Sequence, residues 1–307
     1  MNSVLLAVTA FALFGAAHVS AEVRLSAKGL MHLHLLNNTA QSGAVCLDGT
    51  PGGFYFSPAT NPANSNKWQI YFQGGGWCYD EIDCWGRSSG NLGSSKNWPK
   101  TGSLGGIVSS NCTVNPDFCS YNRVWMVYCD GNSFSGNRAE ALPVRGLDGK
   151  VKNLYFRGRR IIDATLEALS LHFGMSLADT VMLTGCSAGG LATYLHTDYV
   201  HLQLKTIFAK GLKKFKAVSI SGFFLQHKNV NGEPVYEDEM KNIFELANST
   251  NGLNAKCIAA MPSSEQWKCN FAQYAYAYTE SEIFPLNSAL DSWQTNCIFT
   301  SELVPKF

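Results

Sequence analysis

The sequence predicts an α/β fold, a mostly parallel sheet with helices on both faces. Three observations carry that expectation. Short apolar, β-rich runs recur at Trp68–Phe72, Val124–Tyr128, Thr180–Leu183, Ala217–Ile220 and Glu282–Leu286, and read as buried strands. Two longer stretches, Gly158–Phe173 and Ala188–Phe208, fall between them and read as amphipathic helices. Strands that alternate with helices in this way form a parallel sheet covered on both sides. In such a sheet, sites gather beyond the carboxyl ends of the strands.

Ahead of these elements, Val4–Ala17 is an apolar run of h-region length, followed by Val19-Ser20-Ala21. That pattern predicts a signal peptide over 1–21, cut before Glu22. The run is too short to span a bilayer, and no later stretch is long and apolar enough to do so. About 285 residues remain, enough for one large α/β domain over 22–307. No repeat, low-complexity tract or linker divides it. Gly86–Gly106 and Asp130–Gly149 are rich in glycine and polar residues and are expected as long surface loops.

Lysine and arginine number 24 against 23 acidic residues, a formal net charge of +1. Such a balance supplies no electrostatic reason for a nucleic-acid or anionic-membrane partner. The ten cysteines all follow the leader, and in an exported chain an even set points to disulfides. Cys78 and Cys84, Cys112 and Cys119, and Cys257 and Cys269 are each close enough in sequence to close a short loop. No paired CxxC or CxxC…HxxxH spacing is present, so no metal is expected. Sequons at Asn37, Asn111 and Asn248 suit a glycosylated surface in the same compartment.

The sharpest local signal is Gly185-Cys186-Ser187-Ala188-Gly189, a G-x-S-x-G pattern between a predicted strand and a predicted helix. A nucleophile elbow needs that context, because the serine must sit on a strained turn with Oγ raised above the sheet. The glycines on either side leave out side chains that would collide in so tight a turn. Ser187 is therefore the candidate nucleophile, and the helix that follows favours developing negative charge near its N-terminus. Cys186, one place before the apex, reads as a buried or disulfide cysteine. A second signal is Gly74-Gly75-Gly76-Trp77-Cys78 at the end of a strand. Its free N–H groups at Gly76 and Trp77, with that of Ala188, could bind the oxyanion of a tetrahedral intermediate.

With these pieces in view the chain resembles a known family. Gly74-Gly-Gly-Trp-Cys78, Gly93-Ser-Ser95, Tyr128-Cys-Asp-Gly131, Phe156-Arg-Gly158, Gly185-Cys-Ser-Ala-Gly-Gly190 and Asp291-Ser-Trp293 stand in the order seen in plant pectin acetylesterases. The more distant Notum carboxylesterases share the glycine-tryptophan loop and the serine elbow. The resemblance, from about Leu30 to Gln294, implies an α/β-hydrolase-like fold and cofactor-free ester cleavage by a Ser-Asp-His triad. It makes Ser187 the nucleophile, Asp291 the triad acid, and Gly76, Trp77 and Ala188 the oxyanion-binding residues. An extracellular or cell-wall enzyme acting on an acetylated, pectin-like polysaccharide is the expectation. A Notum-like protein deacylase and a non-catalytic carbohydrate-binding homologue are the alternatives.

The family's catalytic histidine should follow the aspartate. The histidines here are His18, His32, His34, His172, His196, His201 and His227, and none lies beyond Asp291. His196 is nine residues along the helix from Ser187, about 13 Å of axial rise, too far for a hydrogen bond. His227, after Ala217–Leu225, is the one substitute base worth testing. The sequence-based expectation is a C-terminally incomplete domain that lacks the last strand, with a pseudoenzyme and a rearranged triad as the other readings.

Overall fold

The computed structural model describes residues 29–208 and 211–300; the expected leader and His18 lie outside the described residues. Ten strands are present among them: β1 (Met31–Leu35), β2 (Gly53–Ser57), β3 (Lys67–Phe72), β4 (Thr101–Gly102), β5 (Asn122–Met126), β6 (Leu142–Arg145), β7 (Val151–Leu154), β8 (Thr180–Cys186), β9 (Lys214–Ile220) and β10 (Ile283–Leu286). Eight form one sheet in the order β10-β9-β8-β3-β5-β2-β1-β4, and β6 and β7 make a separate antiparallel hairpin. From β10 to β5 neighbouring strands run parallel, and β2, β1 and β4 extend the sheet antiparallel. The five sequence-predicted strands are the parallel block, so the chain has the mostly parallel sheet of an α/β-hydrolase-like fold. The antiparallel end was not among them, because its short strands lie outside the strand–helix alternation.

In β3 the two-residue period puts Trp68, Ile70 and Phe72 on one face, each no more than 1% exposed. The principal helices are α1 (Glu81–Arg87), α2 (Gly158–His172), α3 (Ala188–Ile207) and α4 (Val235–Leu246). Helix α2 is amphipathic as expected: Ile161, Ile162, Leu166 and Leu169 are buried, while His172 at its end is exposed. Helix α3 differs from its expected amphipathic form, since every residue from Ala188 to Thr197 is buried. It packs on β8 and β9, and Phe72 of β3 meets His196 of α3 at 5.9 Å between ring centres. Over that half the helix has no solvent stripe to keep polar, whereas Leu202, Lys205 and Thr206 farther along are exposed.

The expected surface loop at Asp130–Gly149 also needs correction. Asp130, Asn132, Ser133, Phe134 and Ser135 are fully buried, and the segment ends in the β6–β7 hairpin. Its polar side chains read as solvated but are paired with main-chain groups and with distant residues such as Trp77, Ser249 and Asn270. Within Gly86–Gly106 the chain also forms β4.

The three short-range disulfides form as expected, Cys78–Cys84, Cys112–Cys119 and Cys257–Cys269. A fourth joins Cys46 to Cys129 across 83 residues. Cys186 and Cys297 are free, so the disulfide option for Cys186 is closed. Because Cys46–Cys129 closes the largest loop, replacing both cysteines by alanine is expected to lower unfolding free energy in denaturant titrations by about 3–5 kcal/mol. A loss below about 1 kcal/mol would mean that packing alone holds those segments together.

Candidate active site

The carboxyl edge of the parallel block collects five segments: the glycine-tryptophan loop after β3, residues 127–136 after β5, the turn after β8, residues 221–227 after β9 and residues 287–294 after β10. At the turn after β8, Ser187 has φ 60° and ψ −127°, a conformation costly for any residue with a side chain. Its N–H donates to the Ile220 carbonyl at 3.0 Å, and its carbonyl accepts from Leu191 as the first bond of α3. The turn is held by close backbone contact. A Cβ on Gly189 would lie 2.1 Å from the Phe72 carbonyl oxygen, and one on Gly185 would lie 2.2 Å from that of Gly189. Only glycine lets α3 press so closely on β3. Ser187 is partly exposed, while Ala188 is buried at the helix start.

Beside it runs the glycine-tryptophan loop. Gly74 is so near that its hypothetical Cβ would meet the Cys186 carbonyl oxygen at 2.3 Å and the Ser187 Cβ at 3.0 Å. Three groups fix the loop from outside. Arg87 of α1 donates from Nη2 to the Gly75 carbonyl at 2.9 Å and from Nη1 to that of Trp77 at 3.4 Å. Tyr128 donates to the Gly76 carbonyl at 2.8 Å. Cys78 is tied to α1 by its disulfide and donates its N–H to Gly131. With the carbonyls so engaged, the amides of Gly76 and Trp77 donate to no acceptor among the described residues. Gly76 and Trp77 lie on the loop after β3, and Ala188 lies in the first turn of α3.

The Asp291 segment lies on the same edge. Asp291 caps the turn Ser292–Gln294, its Oδ1 accepting the Gln294 N–H at 2.9 Å. Gln294 reaches back to 223–225, accepting from the Leu225 N–H and donating to the Phe223 carbonyl. Trp293 packs edge-on against Trp77 and Phe224, with ring centres 5.5 and 5.1 Å apart. Burial first, and then the Asp291 carboxylate, push the Cys186 thiol above its usual range. A thiol held protonated is a poor nucleophile.

No histidine reaches Ser187 among the described residues. His227 is exposed, its Nδ1 against the Lys228 carbonyl at 2.5 Å and its ring edge-on to Phe299 at 5.0 Å. His196 is buried in α3 and faces the Ser133 carbonyl at 2.8 Å; burial and then the Arg159 charge push its pKa down to about 3. His201 stacks on Phe215 and meets Ser281. His32 and His34 are strand residues of β1.

Sequence reasoning missed the polar segment beneath the loop. Asp130 is fully buried and accepts backbone N–H groups from Phe134 and Gly136 at 2.9 and 3.1 Å. Burial nonetheless pushes its pKa up to about 6. The one available signal was Tyr128-Cys-Asp-Gly131, whose order pointed to importance without saying for what.

Two outcomes are expected. An acid whose folded pKa stands above its unfolded value is bound by a proton more tightly when folded, so its contribution falls as pH rises through that window. Relative to Asp130→Asn, the native protein should therefore lose about 3 kcal/mol of stability between pH 4 and 7, read by urea unfolding at each pH; a flat difference would place the titration elsewhere. Ser187→Gly relieves a backbone strain of about 1 kcal/mol or more. It should raise the melting temperature, whereas Ser187→Ala should not.

The sequence profile described as pectinacetylesterase matches residues 25–306. Pectin acetylesterase 11 of Arabidopsis thaliana is 34% identical over 271 residues, 88% of this chain and 65% of that protein. Pectin acetylesterase 5 of the same plant is 36% identical over 270 residues, 88% of this chain and 60% of that protein. Palmitoleoyl-protein carboxylesterase NOTUM of Schmidtea mediterranea is 30% identical over 261 residues, 81% of this chain and 46% of that protein. The chain thus spans 60–65% of the length of these two plant relatives. A profile matched over nearly the whole chain and ordered motifs at one edge of the sheet lead to one conclusion: this chain belongs to the pectinacetylesterase family.

Proposed function

We propose that the chain is a secreted serine carboxylic-ester hydrolase that removes acetyl groups from pectin or a similarly acetylated polysaccharide. The observation that carries the reading is the turn at Ser187: a non-glycine residue held at φ 60°, ψ −127° between a strand end and a buried helix, beside the glycine-tryptophan loop. Ser187 Oγ would attack the ester carbonyl. The oxygen that becomes negative would be met by the N–H groups of Gly76, Trp77 and Ala188, fixed donors that would need little reorganisation. Asp291 would orient and electrostatically support the imidazole that takes the serine proton. No described histidine meets Ser187, and His227 is engaged elsewhere, so the reading names no base among the described residues.

The two plant acetylesterases are 34% and 36% identical, against 30% for the planarian NOTUM, and this favours acetyl as the acyl group. The rings of Trp77, Phe224, Tyr236 and Trp293 pack together next to the loop, filling apolar volume that a long acyl chain would need. Four disulfides among the described residues suit an oxidising, extracellular compartment.

Chemical rescue tests the assignment. Turnover of p-nitrophenyl acetate by the purified chain should be slow in inert buffer. It should rise about tenfold or more as free imidazole is added, because a diffusible base does for Ser187 what no described residue does. Ser187→Ala should show no rise above the solution reaction. Equal rates for the variant and the parent at every imidazole concentration would refute the nucleophile.

A further inference from the structure

We infer that Ser133 is the positioning residue that sets the spacing between the two halves of the oxyanion-binding site. The inference rests on the esterase reading for the site's purpose, but the bonds themselves do not. Ser133 Oγ accepts the Trp77 indole Nε1–H at 2.8 Å and donates to the Ala188 carbonyl at 2.8 Å. Its N–H donates to the Tyr128 hydroxyl at 3.0 Å, which in turn donates to the Gly76 carbonyl at 2.8 Å. One residue is therefore joined, directly or through one hydroxyl, to Gly76, Trp77 and Ala188. Its carbonyl accepts from His196 Nε2 at 2.8 Å. A carbonyl only accepts, so that nitrogen carries the proton and the neutral ring has a fixed role.

Every polar group of Ser133 is thus used, in a site with no exposure to water. The residue also holds φ 48°, and Phe134 after it φ 61°, conformations that side chains disfavour. The Asp130 carboxylate sustains them by gathering the N–H groups of Phe134 and Gly136. Strain at two successive residues, kept in place by a buried carboxylate, is what a device for aiming one hydroxyl requires. The glycine-tryptophan loop and α3 belong to different parts of the chain, and the Ser133 hydroxyl spans between them. Misplacing the amides by a fraction of an ångström weakens every bond to the oxyanion together.

Two variants separate aiming from mere stability. Ser133→Gly removes the hydroxyl while suiting the positive φ, so the fold should keep its melting temperature. Ser133→Ala removes the hydroxyl and keeps the strain, so it should melt earlier. Both should lower imidazole-supported kcat for p-nitrophenyl acetate about 10- to 100-fold, with KM within about twofold. A Ser133→Gly variant with parental kcat would overturn the inference. If the parent itself shows no Ser187-dependent turnover, the esterase reading fails, and hydrogen exchange of the Trp77 indole N–H still decides the clamp. Exchange about tenfold faster in Ser133→Gly supports it, and unchanged exchange overturns it.

Discussion

The contact on which the site depends is between backbones: the first turn of α3 lies against the end of β3, with the Phe72 carbonyl where a side chain on Gly189 would otherwise stand. Pressed that close, the chain between β8 and α3 has room for one conformation, and it is one that Ser187 adopts at a cost. The strain is the consequence of the packing rather than a local preference of serine. It also explains why α3 is enclosed from Ala188 to Thr197, since a helix driven into the sheet carries its first turns into the core.

Around that contact the protein builds a buried polar network rather than an apolar filler. Arg87, Tyr128, Asp130, Ser133 and His196 hold loops through bonds to main-chain carbonyls and amides. Buried polar groups are costly unless nearly all are paired, and pairing them defines a single arrangement where apolar side chains would allow several. The charges follow from the same environment. His196 stays neutral because its cation would be buried near Arg159, and Asp130 gives up its proton less readily than an exposed carboxyl because water cannot reach it.

The elements that bring Asp291 to this edge are held by side chains from two directions. Gln294 bonds to the main chain at 223 and 225, and Trp293 joins the ring cluster that includes Trp77. The aspartate segment and the glycine-tryptophan loop thus share one aromatic cluster, so a change in either is felt by the other. Cys186, one place before the apex, is a free thiol whose pKa is pushed up first by burial and also by the Asp291 carboxylate.

Local pattern was enough for the parallel strands, helix α2, the elbow and three of the disulfides, because each depends on spacing along a short stretch. Gly185-Cys-Ser-Ala-Gly189 pointed to a strained turn because it stood between a predicted strand and a predicted helix, a context the five-residue pattern alone does not supply. Tertiary structure decided the rest. Cys46–Cys129 joins residues 83 positions apart, the first half of α3 is buried by strands distant in sequence, and Ser133 bridges Trp77, 56 positions before it, to Ala188, 55 positions after it. A hydroxyl in a stretch rich in glycine, asparagine and serine looks solvated in one dimension. It becomes buried only when strands distant in sequence close over it, and its partners are carbonyls and ring nitrogens whose positions no local pattern encodes.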